Sequence, residues 1–291
     1  MKQTPAQTRT TTIKPTWCPG CGNFGILNAI KSALDKLNIP PHQAVFTYDV
    51  GCSSNMADFV YSYGFHGLHG RALPLAAGIK LANPKLPVIA IIGDGGCFGE
   101  GIAHFIGLAR GNHDILVITH DNYLYSLTTG QMSPISPKGT KTPSTPHGSI
   151  EEPFNPLASA LINHASFVAR GFAADIPHLT NLLTAGIKHQ GFAVLNVLQP
   201  CPSYNKTMTP DWYKQHIQYL DKQNYQPTDF NKALDLAVNQ KNKLPIGIFF
   251  QQQKPTYHQQ LPNFNPDNPP AHQDISKINI TPLLSTSKVE S

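Results

Sequence analysis

The sequence predicts an α/β domain: a mostly parallel sheet with helices on both faces, of the doubly covered kind. Three observations predict it. Short runs rich in β-branched residues alternate with longer segments whose apolar residues recur at helical spacing. Several of those runs stop abruptly at Gly, Cys, Asp or Asn. The chain has 291 residues, 40% of them hydrophobic, enough for one large core or two modest ones.

Taken in order, FGILNAIKSALDKLN (24–38) carries Leu27, Ile30, Leu34 and Leu37 along one helical stripe. QAVFTYDVG (43–51) reads as a buried strand that breaks into GCSS. RALPLAAGIKLAN (71–83) reads as a small-residue helix suited to close packing. PVIAIIGDGG (87–96) is a strand running into a glycine turn, and EGIAHFIGLAR (100–110) is the helix after it. DILVITHDN (114–122), IPHLTNLLTAGIKHQ (176–190) and GFAVLNVLQPC (191–201) continue the alternation as strand, helix and strand. Such alternation indicates parallel strands joined by helical crossovers.

Ligands of open α/β sheets bind at the carboxyl ends of the strands. Cys52, Asp94, Asn122 and Cys201 each stand at or just past such an end, so they are expected to converge on one edge of the sheet. The stretch 128–149 is rich in Thr, Ser, Pro and Gly and lacks periodicity, as a long functional loop would. Residues 1–250 are expected to form the folded domain. Residues 251–291, rich in Gln, Asn and Pro, are expected to form an extended or disordered tail, laid across a partner.

Composition excludes some function classes. Against 17 acidic residues stand 22 scattered basic ones, a net charge of +5 without a basic stripe, so no nucleic-acid partner is expected. No apolar run approaches the roughly 20 residues of a membrane span. Five cysteines, an odd number, and no signal peptide point to a reduced, cytoplasmic setting, where thiols serve metals or chemistry.

Two stretches carry the chemistry. In TWCPGCGN (16–23), Cys18 and Cys21 form a Cys-x-x-Cys pair, which by itself fits a redox dithiol, half a zinc site or half an iron–sulfur site. In GDGGCFGEG (93–101), glycines follow a strand and open a helix, where a diphosphate can approach backbone N–H groups. Asp94 is the one carboxylate inside that glycine turn, and an acid beside phosphate makes sense when Mg2+ bridges them. Asn122 follows the GDG triplet after 26 intervening residues, 96–121, at the end of the next strand, and its side-chain carbonyl is a candidate second ligand.

GDG followed at this distance by Asn resembles the thiamine-diphosphate motif. Together, KPTWCPGCGN, GCSS, HGRALP, GDG, DNYLYSLTTGQMSP and CPSYN resemble the beta subunit of 2-oxoacid:ferredoxin oxidoreductases, from about Ile13 to about Phe250. The resemblance implies thiamine diphosphate, Mg2+ and a 4Fe–4S cluster as cofactors. It implies Cys18, Cys21, Cys52 and Cys201 as cluster ligands, and Asp94, the Asn122 side chain and the Leu124 carbonyl as Mg2+ ligands. Val50, Gly51, Cys52 and Ser53 would pass the cofactor on one side, while Gly95, Gly96, Ser126 and Leu127 would meet the diphosphate, with His69 nearby. A separated pair and two distant singles also suit a cluster better than a structural zinc.

The activity implied is oxidative decarboxylation of a 2-oxoacid (2-oxoglutarate or pyruvate), with coenzyme A as acyl acceptor and ferredoxin as electron acceptor. An alpha subunit would complete the site, because no second domain here supplies the glutamate that activates the cofactor's other end. Two alternatives use the same fold: a thiamine enzyme without ferredoxin, and a zinc-binding scaffold without activity. Three positions stand apart. Cys97 lies outside the cysteine pattern, Gly96 stands where many relatives have a second Asp, and Asn55 stands where some have Lys.

Overall fold

The computed structural model describes residues 9–240, 243–277 and 279–282 of the chain. Its first helix, α1 (Asn23–Lys36), starts directly after the Cys-x-x-Cys turn. Strand β1 (Val45–Tyr48) and the short strand β2 (Tyr63–His66) follow, then α2 (Ala72–Ala82) and β3 (Val88–Gly93). After the glycine turn come α3 (Ile102–Arg110), β4 (Leu116–Asp121) and two minimal strands, β5 (Leu124–Tyr125) and β6 (Gln131–Met132). The second half contributes α4 (Pro156–Ile162), β7 (Phe167–Phe172), α5 (Ile176–Lys188), β8 (Ala193–Leu198), α6 (Pro210–His216), β9 (Ile217–Tyr219), α7 (Phe230–Val238) and β10 (Leu244–Gln251).

Eight of these strands form one sheet in the order β2-β1-β3-β4-β8-β7-β10-β9. All neighbouring pairs are parallel except β10 with β7. Central strands are buried along their whole length, as parallel strands covered on both faces must be. Alternate residues serve two cores. Phe46, Ile89, Ile91, Ile118 and Leu195 pack with α1 and α5 on one face. Val88, Ala90, Ile92, Val117 and Val194 pack with α2, α3, α4 and α7 on the other. The expected architecture is therefore the observed one.

Elements missing from the sequence reading have local causes. Strand β7 carries Arg170 and Gly171 inside an otherwise apolar run. Arg170 is buried because its guanidinium donates to Asn196 Oδ1 (3.1 Å) and Gln240 Oε1 (2.8 Å), partners that lie far away in sequence. Strand β10 opens with Leu244–Pro245, and proline argues against a strand until the neighbour is known. The 128–149 stretch is a loop of turns, with only Gln131–Met132 paired as strand, to Leu124–Tyr125.

Between Gln251 and Lys277 the described chain forms helical structure only as short 3-10 turns. Its first part packs on this chain rather than standing free. Tyr257 N–H donates to the Asn112 carbonyl (3.1 Å), and its ring stacks on His113 at 4.1 Å between centroids. Thr256 and His258 are buried there. Residues 283–291 of the expected tail lie outside the described residues.

Candidate active site

Because β1, β3, β4 and β8 run parallel, the residues after them share the carboxyl edge of the sheet. A cleft on that edge is lined by Val50, Gly51, Cys52 and Ser53 after β1, by His69, by Gly93–Gly96 after β3, and by Asn122 and Leu124–Thr128 after β4. Val50 and Leu127 stand half exposed at its mouth. All residues expected to meet thiamine diphosphate therefore come together.

The glycine turn is closed by a single π-helical turn, Gly96–Glu100, with Gly101 N–H donating to the Gly96 carbonyl (2.8 Å). Such turns concentrate at functional sites. Close packing within the chain itself requires the glycines. A Cβ on Gly95 would lie 2.3 Å from the Tyr125 ring, and one on Gly96 would lie 1.9 Å from Asp49 Oδ2. The HGR segment rests on the same turn, since Arg71 donates to the Glu100 carbonyl (2.9 Å). His69 Nδ1 lies 3.0 Å from Glu100 Oε2 without hydrogen-bond geometry.

Asp94 is 1% exposed; it accepts from Gly95 N–H (2.9 Å) and Ser133 Oγ (2.8 Å). Burial, and then the Asp121 carboxylate, hold its carboxyl well above the usual range. Asn122 Oδ1 accepts from Leu124 N–H (2.9 Å), a turn made possible by the left-handed backbone of Tyr123 (φ 67°). Of the eight buried side-chain polar atoms without a hydrogen-bond partner among the described residues, five belong to the cleft or its floor: Asp49 Oδ2, Ser53 Oγ, His69 Nδ1, Asp121 Oδ1 and Ser126 Oγ. Buried polar groups are normally satisfied. A hard cation beside Asp94 and a phosphate-bearing ligand beside the serines and His69 would satisfy this set apart from Asp49 Oδ2, so the residues fit Mg2+ and a diphosphate.

The four expected cluster cysteines also approach one another. The Cys18–Cys21 turn is closed by Cys21 N–H to the Cys18 carbonyl (3.0 Å), with Gly20 at φ 82°. Trp17 Nε1 (2.6 Å) and Asn23 Nδ2 (3.2 Å) both donate to the Cys52 carbonyl. Gly22 N–H donates to the Pro200 carbonyl (3.1 Å), beside Cys201. Ser203 Oγ lies 3.0 Å from Cys18 Sγ, and Gln199 Nε2 lies 3.3 Å from Cys21 Sγ. Burial pushes the Cys21 and Cys52 thiols up to about 11, and the other cysteines of the set add to the rise. Among the described residues, no three His, Cys, Asp or Glu side chains are gathered as a single metal ion requires. Cys97 is fully buried in the core against α2 and α3, apart from this set.

Comparison with known proteins accords with this geometry. The family described as thiamine pyrophosphate enzyme, C-terminal TPP binding domain, matches residues 49–197. The family described as the C terminal of the pyruvate ferredoxin oxidoreductase beta subunit matches residues 201–266. A 2-oxoacid:ferredoxin oxidoreductase subunit beta from Saccharolobus solfataricus is 42% identical over 89% of this chain and 90% of its own. The chain belongs to the beta subunits of 2-oxoacid:ferredoxin oxidoreductases. A 2-oxoglutarate synthase subunit KorB from Methanocaldococcus jannaschii is 34% identical over 84% of this chain and 90% of its own. The solved 2-oxoglutarate:ferredoxin oxidoreductase from Magnetococcus marinus, with 2-oxoglutarate, coenzyme A and succinyl-CoA bound, superposes with a TM-score of 0.89. It is 33% identical, covering 99% of this chain and 98% of that one.

Several residues lining or supporting this cleft escaped the sequence reading. Tyr125, whose hydroxyl reaches both Glu100 carboxylate oxygens at 3.3 Å, packs across the glycine turn. Ser133 returns from the long loop to Asp94. Asp49 directly precedes the Val50–Ser53 wall. A serine in a Ser/Pro-rich loop gives no sequence signal; an Asp at a strand end gives a faint one. Glu151 and Glu152 are exposed, and Glu152 pairs with Lys138 in the long loop.

Proposed function

We propose that this chain is half of a 2-oxoacid:ferredoxin oxidoreductase site, with 2-oxoglutarate as the leading 2-oxoacid, completed by an alpha subunit. The observation that carries the reading is the concentration of unsatisfied buried polar atoms around Asp94 on the same sheet edge that collects Cys18, Cys21, Cys52 and Cys201. Asp94, the Asn122 side chain and the Leu124 carbonyl would hold Mg2+. Gly95, Gly96, Ser53, Ser126 and His69 would hold the diphosphate, and Val50, Gly51 and Leu127 would shield it from water. The four cysteines would hold a 4Fe–4S cluster, which suits one pair and two distant singles arriving from separate strand ends.

Bound thiamine diphosphate supplies the electron sink for decarboxylation, while the protein supplies orientation and electrostatics. Here the buried Asp94 would offer the charge that Mg2+ needs, and the turn at Tyr123 would bring the Asn122 side-chain and Leu124 backbone oxygens to it. Cys52 lines the cleft and neighbours the other cysteines, so a cluster held there would lie close to the bound cofactor. Coenzyme A would take the acyl group. The glutamate for the cofactor's far end would come from the alpha subunit. Relatives named for 2-oxoglutarate, and the solved neighbour holding it, support that substrate. Five free cysteines suit a reduced cytoplasm. No helix among the described residues is long and apolar enough to cross a membrane.

The test is anaerobic co-expression with an alpha subunit and assay against a panel of 2-oxoacids, with coenzyme A and ferredoxin or methyl viologen. Brown protein absorbing near 400 nm, turnover fastest on 2-oxoglutarate and no turnover by this chain alone are expected. Colourless protein with stoichiometric zinc, or full activity from the isolated chain, would refute the reading.

A further inference from the structure

The cleft contains a carboxylate that neither the Mg2+ ligands nor the cysteines use. Asp49 is fully buried, and its Oδ1 accepts a hydrogen bond from Ser54 Oγ. Its Oδ2 has no hydrogen-bond partner. That oxygen faces the glycine turn: a Cβ on Gly96 would lie 1.9 Å from it and 3.5 Å from His69 Cε1. Asp49 Oδ2, the Gly96 backbone and one edge of the His69 ring thus meet on the cleft wall. Another edge of the ring presents Nδ1 to Glu100 Oε2 at 3.0 Å.

A buried carboxylate with one oxygen left unpaired beside a diphosphate site is costly unless a compensating group lies within reach. Burial raises the Asp49 carboxyl to about 6, and the Ser54 hydroxyl and the neighbouring His69 ring work against that rise. We infer that Asp49 is a positioning residue for the cofactor's diphosphate: flanked by Asp49 and Glu100, the His69 ring is fixed against the glycine turn, on the wall that would face the diphosphate. Gly96 is glycine because the Asp49 carboxylate occupies the space where a side chain would begin. This inference rests on the cofactor reading proposed above. It also has a geometric corollary: a carboxylate grown from position 96 can take the place of one arriving from position 49.

The test uses the co-expressed complex stripped of cofactor, with the Kd for thiamine diphosphate measured by calorimetry at saturating Mg2+. Asp49→Asn keeps the shape and the Ser54 contact, and is expected to weaken binding about tenfold, as loss of a charge-assisted contact does. In a His69→Ala background the same change is expected to have less than a roughly twofold effect, since its target is gone. Gly96→Ala is expected to weaken binding at least about tenfold by displacing Asp49. Asp49→Ala/Gly96→Asp is expected to bind several-fold more tightly than Asp49→Ala alone. Wild-type affinity in Asp49→Asn, an equal loss with and without His69, or no recovery in the relocated variant would each overturn the inference. A wild-type complex that fails to bind thiamine diphosphate would instead overturn the cofactor reading, and this inference with it.

Discussion

Asp94→Asn separates what the cleft costs the fold from what it offers a ligand. Burial and the Asp121 carboxylate raise the Asp94 carboxyl, so its charge destabilises the cofactor-free protein at neutral pH. Burial opposes ionisation here as it does at the neighbouring Asp121, whose carboxyl it raises from 3.8 to about 6. Asparagine keeps the acceptor for Gly95 N–H and weakens the Ser133 contact, at a cost of about 1 kcal/mol. The net expectation is a variant more stable than the wild type, with a higher Tm, in cofactor-free buffer at pH 7.5.

The pH dependence follows from the sign of the shift. A carboxyl whose folded pKa is raised contributes its stability below the unfolded value and loses it as pH rises through the folded value. The variant's advantage should therefore grow as pH rises, and near pH 4, where the ionisation cost is absent, the variant should be the less stable by about 1 kcal/mol through the weakened Ser133 contact. Addition of Mg2+ and thiamine diphosphate at about 100 times Kd should raise wild-type stability by about 2.7 kcal/mol and leave Asp94→Asn unchanged. Thermal unfolding followed by circular dichroism, with and without ligands between pH 4 and 8, reads both effects. A variant less stable than the cofactor-free wild type at pH 7.5, or one still stabilised by the ligands, would refute the reasoning.

Three further outcomes are expected. Cys52→Ser should lose most of the iron in anaerobic iron and sulfide analysis, while Cys97→Ser, a core position, should keep it; equal losses would show that the ligand set is wrong. Gly95→Ala, whose methyl would fall 2.3 Å from the Tyr125 ring, should cost about 1–3 kcal/mol in denaturant melts and weaken thiamine diphosphate binding. Gly25→Ala would drive a methyl to 1.9 Å from the Ala173 carbonyl and should destabilise by about 2 kcal/mol or more, whereas Gly78→Ala, exposed in α2 with no atom within 4 Å of the added methyl, should stabilise by about 0.5–1 kcal/mol.

The sequence by itself determined the layered α/β architecture, because buried parallel strands and their crossover helices leave opposite hydrophobic periods in the chain. It also determined the sheet edge on which Cys52, Asp94, Asn122 and Cys201 lie, because parallel strands carry their carboxyl ends to one side. Local glycine chemistry marked the 93–101 turn. Tertiary structure alone decided which groups make those glycines necessary, since Tyr125 and Asp49 reach Gly95 and Gly96 from other strand ends. It alone turned Arg170 from a strand-breaking charge into a buried donor, because Asn196 and Gln240 satisfy it across the sheet. Ser133, Asp49 and the tail residue Tyr257 took their places for the same reason. Periodicity reports the side of an element that is buried, while the partner across a loop or a strand gap is set by packing between residues that are remote in sequence.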